Sequence, residues 1–234
     1  MKLTAMTYNI FSGRNLAREL DLYHAAAVIR QVQPDFITLN EVRSHTEDVG
    51  PINQAYELGR LTGYFPVFGK AIDILGGEYG NAFLSRLPVE ACEVIHIPDP
   101  ERTSDHHYEH RCILRCELLA GERRITVLST HFGLAPSEQE NAVQTVLEVI
   151  RGESNPVLLM GDLNAEPDCP ILKPLFLALR DAAEGSGILT FPSDVPRIKI
   201  DHILYSNAFR APNVYSINTQ NSDHRPLIAK LELP

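Results

Sequence analysis

The chain has 234 residues, 44% apolar and 22% charged, with a formal net charge of −9. Those values describe one folded domain with a sizeable core and exclude a disordered or repeat-built chain. No run approaches the roughly 20 apolar residues of a membrane helix, and the first residues lack the apolar stretch of a signal peptide, so the expected address is the cytoplasm.

The first strand is expected at Leu3 to Ile10, followed by a turn at Ser12-Gly13-Arg14-Asn15. A helix then places Leu22, Ala25, Ala26, Ile29 and Val32 on one face, and Pro34-Asp35 ends it. Phe36 to Leu39 reads as a short buried strand, Gln54 to Leu61 as a helix and Phe65 to Phe68 as another strand. Four strands follow in succession, Asn81 to Ser85, Val89 to Ile97, Arg111 to Leu119 and Arg123 to Thr130, a pattern that predicts antiparallel neighbours. The next helix, Ser137 to Ile150, is expected to start on a capping box of Ser137 and Glu140. Pro156 to Met160 is a buried strand stopped by Gly161, Ile171 to Leu179 a helix, and Ile198 to Tyr205, Val214 to Ile217 and Pro226 to Leu233 the last strands. No linker, charge block or repeat divides the chain, which predicts a single domain over residues 1 to 234.

Four cysteines, Cys92, Cys112, Cys116 and Cys169, are too few for a disulfide framework in a chain of this size. Cys112 and Cys116 alternate with Leu114 and Leu118 on one strand face. Thiols four residues apart in a strand lie about 13 Å apart, too far to share one ion, so core thiols are expected. The segment from Pro98 to His110 holds His106, His107 and His110 with Asp99, Asp105 and Glu109. It reads as a solvated loop, with metal binding as the alternative.

Short polar clusters repeatedly end the apolar strands: Asn9, Asn40-Glu41, Thr130-His131 and Asp162-Leu163-Asn164, with Asp201 inside a strand and Ser222-Asp223-His224 opening the last. Singly, each is a cap or turn. Together they predict convergence at one rim of a layered sheet fold. Glu41, Asp162, Asn164 and Asp223 are hard oxygen ligands suited to Mg²⁺ or Mn²⁺, and His131 and His224 are able to bond a phosphate and a water. The chemistry this set suits is phosphoester hydrolysis. His202, next to Asp201 in a strand, faces the other way and is expected to be a packed or exposed histidine.

The ordered series Tyr8-Asn9, Asn40-Glu41, Gly80-Asn81-Ala82-Phe83-Leu84-Ser85-Arg86, Ser129-Thr130-His131, Gly161-Asp162-Leu163-Asn164, Ile200-Asp201-His202-Ile203 and Ser222-Asp223-His224-Arg225-Pro226 resembles the endonuclease/exonuclease/phosphatase superfamily over nearly the whole chain. The resemblance implies an α/β fold: a four-layer α-β-β-α sandwich of two mixed β-sheets flanked by helices, DNase I-like. It makes Glu41 the principal metal ligand with Asn9 beside it, and Asp223 a ligand or an orienter of imidazole. Asp162 would orient or deprotonate the attacking water and Asn164 would contact the phosphate. His131 would bond a nonbridging oxygen or assist the leaving group, and His224 would bond the phosphate in the transition state. Asp201 matches an acid that orients a catalytic group, and Arg111 a phosphate-facing arginine. Glu78 is left between a partner of His131 and a surface acid.

The expected protein is thus a monomeric, Mg²⁺- or Mn²⁺-dependent phosphoester hydrolase. With a net charge of −9 its substrate is expected to be a small phosphoester, a nucleotide or a lipid headgroup. Cleavage of DNA or RNA is the alternative, open if Arg102, Arg111, Arg115, Arg123 and Arg124 form a basic wall. A non-catalytic binding protein on the same fold is the lesser one.

Overall fold

The computed structural model describes residues 1–101 and 108–234. The chain opens with β1 (Lys2–Asn9), a 3₁₀ turn (Phe11–Gly13), α1 (Leu22–Val32), β2 (Phe36–Ser44) and α2 (Gln54–Thr62). It continues through β3 (Phe65–Ile74), β4 (Gly77–Ser85), β5 (Val89–His96), β6 (Cys112–Ala120), β7 (Arg123–His131) and α3 (Pro136–Gly152). The rest is β8 (Val157–Asp162), α4 (Lys173–Ala178), β9 (Arg180–Asp181), β10 (Asp201–Tyr205), β11 (Arg210–Ser216) and β12 (Leu227–Glu232).

The strands form two six-stranded sheets with orders β11-β12-β1-β2-β4-β3 and β5-β6-β7-β8-β10-β9. Each sheet is antiparallel except for one parallel pair, β1 with β2 in the first and β7 with β8 in the second. Helix α1 makes the first parallel crossover and α3 the second, as parallel neighbours require a long connection.

The inner faces of the sheets meet in a core that includes Phe36, Phe83, Leu114, Val127, Met160 and Leu231. Met6, Ile37 and Leu39 turn outward under α1 and α2, while Leu128, Leu159 and Leu204 turn outward under α3 and α4. Strict alternation of buried faces produces the four layers.

Several expectations are corrected. Of the four consecutive strands, only β5, β6 and β7 are neighbours; β4 pairs with β2 and β3, and the chain crosses between sheets from Ser85 to Val89. The sequence pattern does not mark such a crossing, because both sheets bury the same kind of side chain. Helix α3 starts earlier than expected: Pro136 opens it, so Ser137 lies inside the first turn, and Glu138 rather than Glu140 accepts the N–H of Ala135 at 3.1 Å. Strand β2 runs on through Glu41 to Ser44 with a bulge between Leu39 and Val42. Strand β10 begins only at Asp201.

Cys112 and Cys116 are buried on the same face of β6 as Leu114 and Leu118. Of the histidine-rich segment, Arg102 to His107 lie outside the described residues, and the exposed His110 pairs with Asp99 at 2.6 Å. Among the described residues no helix is long and apolar enough to cross a membrane.

Candidate active site

The two parallel pairs carry their polar residues at their carboxyl ends. Asn9 is in register with Asn40, and His131 with Asp162. Carboxyl ends of parallel strands are where side chains emerge without a covering turn, and here the two sheets bring two such ends together. Asn40, fully buried, fastens them. Its amide donates to Asn81 Oδ1 at 2.8 Å and to the Thr130 carbonyl at 2.9 Å, and its Oδ1 accepts the Asp162 N–H at 3.0 Å. Gly161 precedes Asp162 at φ 147°, where a Cβ would stand 1.8 Å from the Thr130 carbonyl oxygen. Only glycine lets β8 lie this close to β7 and still deliver Asp162 to the rim.

Asp162 is the centre of the cluster. Asn9 Nδ2 donates to its Oδ2 at 3.1 Å and lies at the same distance from Glu41 Oε1. The Nε2 atoms of His131 and His224 stand 3.5 and 3.6 Å from the same Asp162 oxygen. Oδ1 of Asp162 accepts the Asn164 N–H at 2.9 Å, which bends the chain so that Asn164, at φ 48°, turns its side chain back to His131. Asp201, directly opposite Asp162 on the antiparallel β10, bonds His224 Nδ1 at 2.9 Å.

Burial and charge set the proton affinities. Burial raises the Asp162 carboxyl to about 7 although His224 opposes this. Burial also raises Glu41 and Asp223. Burial by itself would lower His224, but the carboxylates of Asp201, Asp162 and Asp223 prevail and hold it up at about 10, a standing cation. His131 goes the other way, far below its ordinary value, through burial and then the nearby charges of Arg111 and His224. Arg111 donates to His131 Nδ1 at 3.0 Å, so the neutral ring carries its proton on Nε2, which lies 3.1 Å from Asn164 Nδ2 and 3.5 Å from Asp162 Oδ2.

All nine residues singled out from the sequence, Asn9, Glu41, Arg111, His131, Asp162, Asn164, Asp201, Asp223 and His224, are tied to this cluster by a contact or a charge. The acid bonded to the imidazole of His224 is Asp201; Asp223 instead accepts from Ser222 Oγ at 3.3 Å. Glu78 is a surface acid, 3.8 Å from Lys70. His202 is buried behind the sheet, its Nδ1 2.8 Å from Lys199 Nζ and its Nε2–H donating to the Ala165 carbonyl at 3.0 Å.

Two residues were not assigned to this site from the sequence. Phe191 packs its ring 4.8 Å from that of His224, and no local pattern points to it. Glu109 pairs with Arg111 at 2.8 Å; its spacing of two residues from Arg111 along an extended chain was the available signal.

The donor set fits an oxygen-preferring dication. Glu41, Asp162 and Asp223 crowd together with raised proton affinities, and their carboxylate oxygens are the hard donors such an ion takes. The tightest group of ligand atoms, Asp162, Asp201 and His224 within 4.8 Å, is the poorer candidate, because a protonated His224 has no lone pair to offer.

The chain is 27% identical over 248 residues to YbhP of Escherichia coli (strain K12), a match covering 97% of this chain and 95% of that protein. An endonuclease/exonuclease/phosphatase structure from Bacteroides vulgatus superposes with a TM-score of 0.82 at 16% identity, covering both chains completely. A mannosyl-6-phosphatase of Bacteroides thetaiotaomicron superposes with a TM-score of 0.77 at 18% identity, covering 98% of this chain and 99% of that one. The family model of the endonuclease/exonuclease/phosphatase family matches residues 6–224, and with the two-sheet fold and the strand-end cluster in place, the chain belongs to that family.

Proposed function

We propose that the protein is a divalent-metal-dependent phosphoester hydrolase, Mg²⁺ or Mn²⁺ being the ion, that attacks small phosphoesters in line with an activated water. The observation that carries this reading is the convergence on Asp162 of a neutral histidine, a cationic histidine and two amides. In-line attack at phosphorus needs a positioned water, charge compensation for the equatorial oxygens and help for the leaving oxygen.

Asp162, with a proton affinity near neutrality, orients the water and takes its proton. His224, kept cationic and aimed by Asp201, donates from Nε2 to a phosphate oxygen as charge builds there. Asn164 and Arg111 contact nonbridging oxygens, and neutral His131 offers a hydrogen bond beside them. Glu41, Asn9 and Asp223 would hold the ion, which when bound would supply neutralisation of the phosphate charge.

The preference for a small ester rests on what surrounds the site. Of the described arginines of the supposed basic wall, Arg115 is engaged by Glu117, Glu93 and Glu153, Arg124 by Glu90 and Arg123 by the Pro234 carbonyl, which leaves Arg111 at the site itself. Paired cations release few counterions from a polyanion and add little affinity. The superposing structure from Bacteroides thetaiotaomicron is named a mannosyl-6-phosphatase, which supports a small phosphoester as substrate.

Nitrophenol release from p-nitrophenyl and bis(p-nitrophenyl) phosphate, with Mg²⁺ and with EDTA, run beside plasmid nicking in the same salt, tests the reading. Mg²⁺-dependent release with little nicking is expected. Full turnover in EDTA refutes the metal, and a kcat/KM for DNA above that for every small ester and dispersed lipid refutes the substrate class.

A further inference from the structure

Cys92 and Cys116 lie directly opposite one another on the antiparallel pair of β5 and β6, with their sulfurs 3.0 Å apart. Opposed residues share a face of the sheet, so both thiols point toward the space between the sheets. Cys116 is buried in that core, whereas Cys92, on the edge strand, is open to solvent. Directly opposed residues have Cα atoms about 4.5 to 5.5 Å apart, within the range of about 4.4 to 6.8 Å that a disulfide spans. Among the described residues strand β5 has no neighbour on its outer side, and its register is irregular between Val89 and Ala91, so it has room for the small shift that bonding requires.

We propose that Cys92 and Cys116 are a redox-active thiol pair that peroxide converts to an intramolecular disulfide. The exposed Cys92 thiolate attacks one peroxide oxygen; an S–O bond forms as the O–O bond breaks, and the departing hydroxide takes up a proton to leave as water. The Cys116 sulfur then attacks the Cys92 sulfur and displaces the second oxygen, which leaves as water with the protons of the hydroxyl and of the Cys116 thiol. Two thiols are oxidised by two electrons and one peroxide is reduced to two waters. The new bond ties the edge strand to its neighbour and closes the connection that carries Glu109 and Arg111, which constrains the unfolded chain. It requires nothing of the hydrolytic site and stands independently of the proposed function.

The test treats the intact protein with hydrogen peroxide, alkylates the remaining thiols and maps the peptides by mass. The expected result is loss of two of the four thiols, loss of two hydrogen atoms, a peptide joining Cys92 to Cys116, and a Tm increase on the order of 5 to 10 °C that dithiothreitol reverses. Cys92→Ser should abolish the link and the Tm increase, and Cys169→Ser should keep both. Oxidation of Cys92 to sulfinic acid with Cys116 still alkylated overturns the proposal, as does a Cys92-to-Cys92 dimer on a non-reducing gel.

Discussion

Two buried histidines on either side of one strand end meet opposite fates. His224 leans on Asp201 from the rim side of β10, and the carboxylates around it hold it up at about 10. His202, the next residue after Asp201, points to the other face. Burial first, and then the Lys199 ammonium, press it down to about 4. Both rings are deeply buried, so burial alone does not decide the charge of an imidazole; the sign of the nearest partner does. The first face gathers charge for chemistry. The second ties β10, through Lys199, to Asp181 on the neighbouring β9 and, through the Ala165 carbonyl, to the turn that presents Asn164.

Changes on the rim side should be large and kinetic, and changes on the far side thermodynamic. Asp162→Asn keeps the size of the side chain and removes the base; kcat should fall by about 10³-fold with Tm nearly unchanged, measured on p-nitrophenyl esters. Glu41→Gln belongs to the same class, with a loss of about 10²- to 10³-fold that added Mg²⁺ partly relieves. Asp201→Asn leaves His224 without its orienting acid, and a fall of about 10²-fold in kcat is expected. If Asp201→Asn left kcat intact, the contrast between the two faces would lose its functional meaning.

On the far side, the expected effect is on stability against pH. An unfolded histidine takes up a proton near pH 6.5, and native His202 does so only near 4. The unfolded chain therefore binds more protons in that window. The stabilisation is complete above about pH 6.5 and is lost as the pH falls toward 4, by up to about 3 kcal/mol. Urea unfolding at pH 7 and 4.5 measures it. His202→Gln, able to accept from Lys199 and donate to Ala165, should flatten the dependence and leave kcat within about threefold. A loss in kcat equal to that of Asp201→Asn would place His202 in the catalytic machinery. The smallest effect is expected at the surface: Arg124→Ala, breaking an exposed pair with Glu90, should leave the urea unfolding midpoint unchanged.

Much of this was readable before any coordinates. Leu3 to Ile10, Val157 to Met160 and the face Cys112, Leu114, Cys116 and Leu118 announce themselves by period and apolarity, which are local properties of the chain. The opposite faces of Asp201 and His202 follow from the two-residue repeat of a strand, and the polar residues at strand ends are likewise local signals.

Other features are not local. Asn40 joins β2 to β7 and β8 across the gap between sheets, Asp201 rather than the adjacent Asp223 bonds His224, and Glu78 turns out to Lys70. Such pairings depend on distances between residues far apart in the chain, and those distances exist only once both sheets have closed on their shared core. The charges of His131, His202 and His224 depend in addition on how much water the closed fold excludes and which partner it leaves behind. Sequence determined which residues were available at each strand end; the packing of the two sheets decided which of them meet and in what state of protonation, because Coulomb interaction and desolvation act through space and not along the chain.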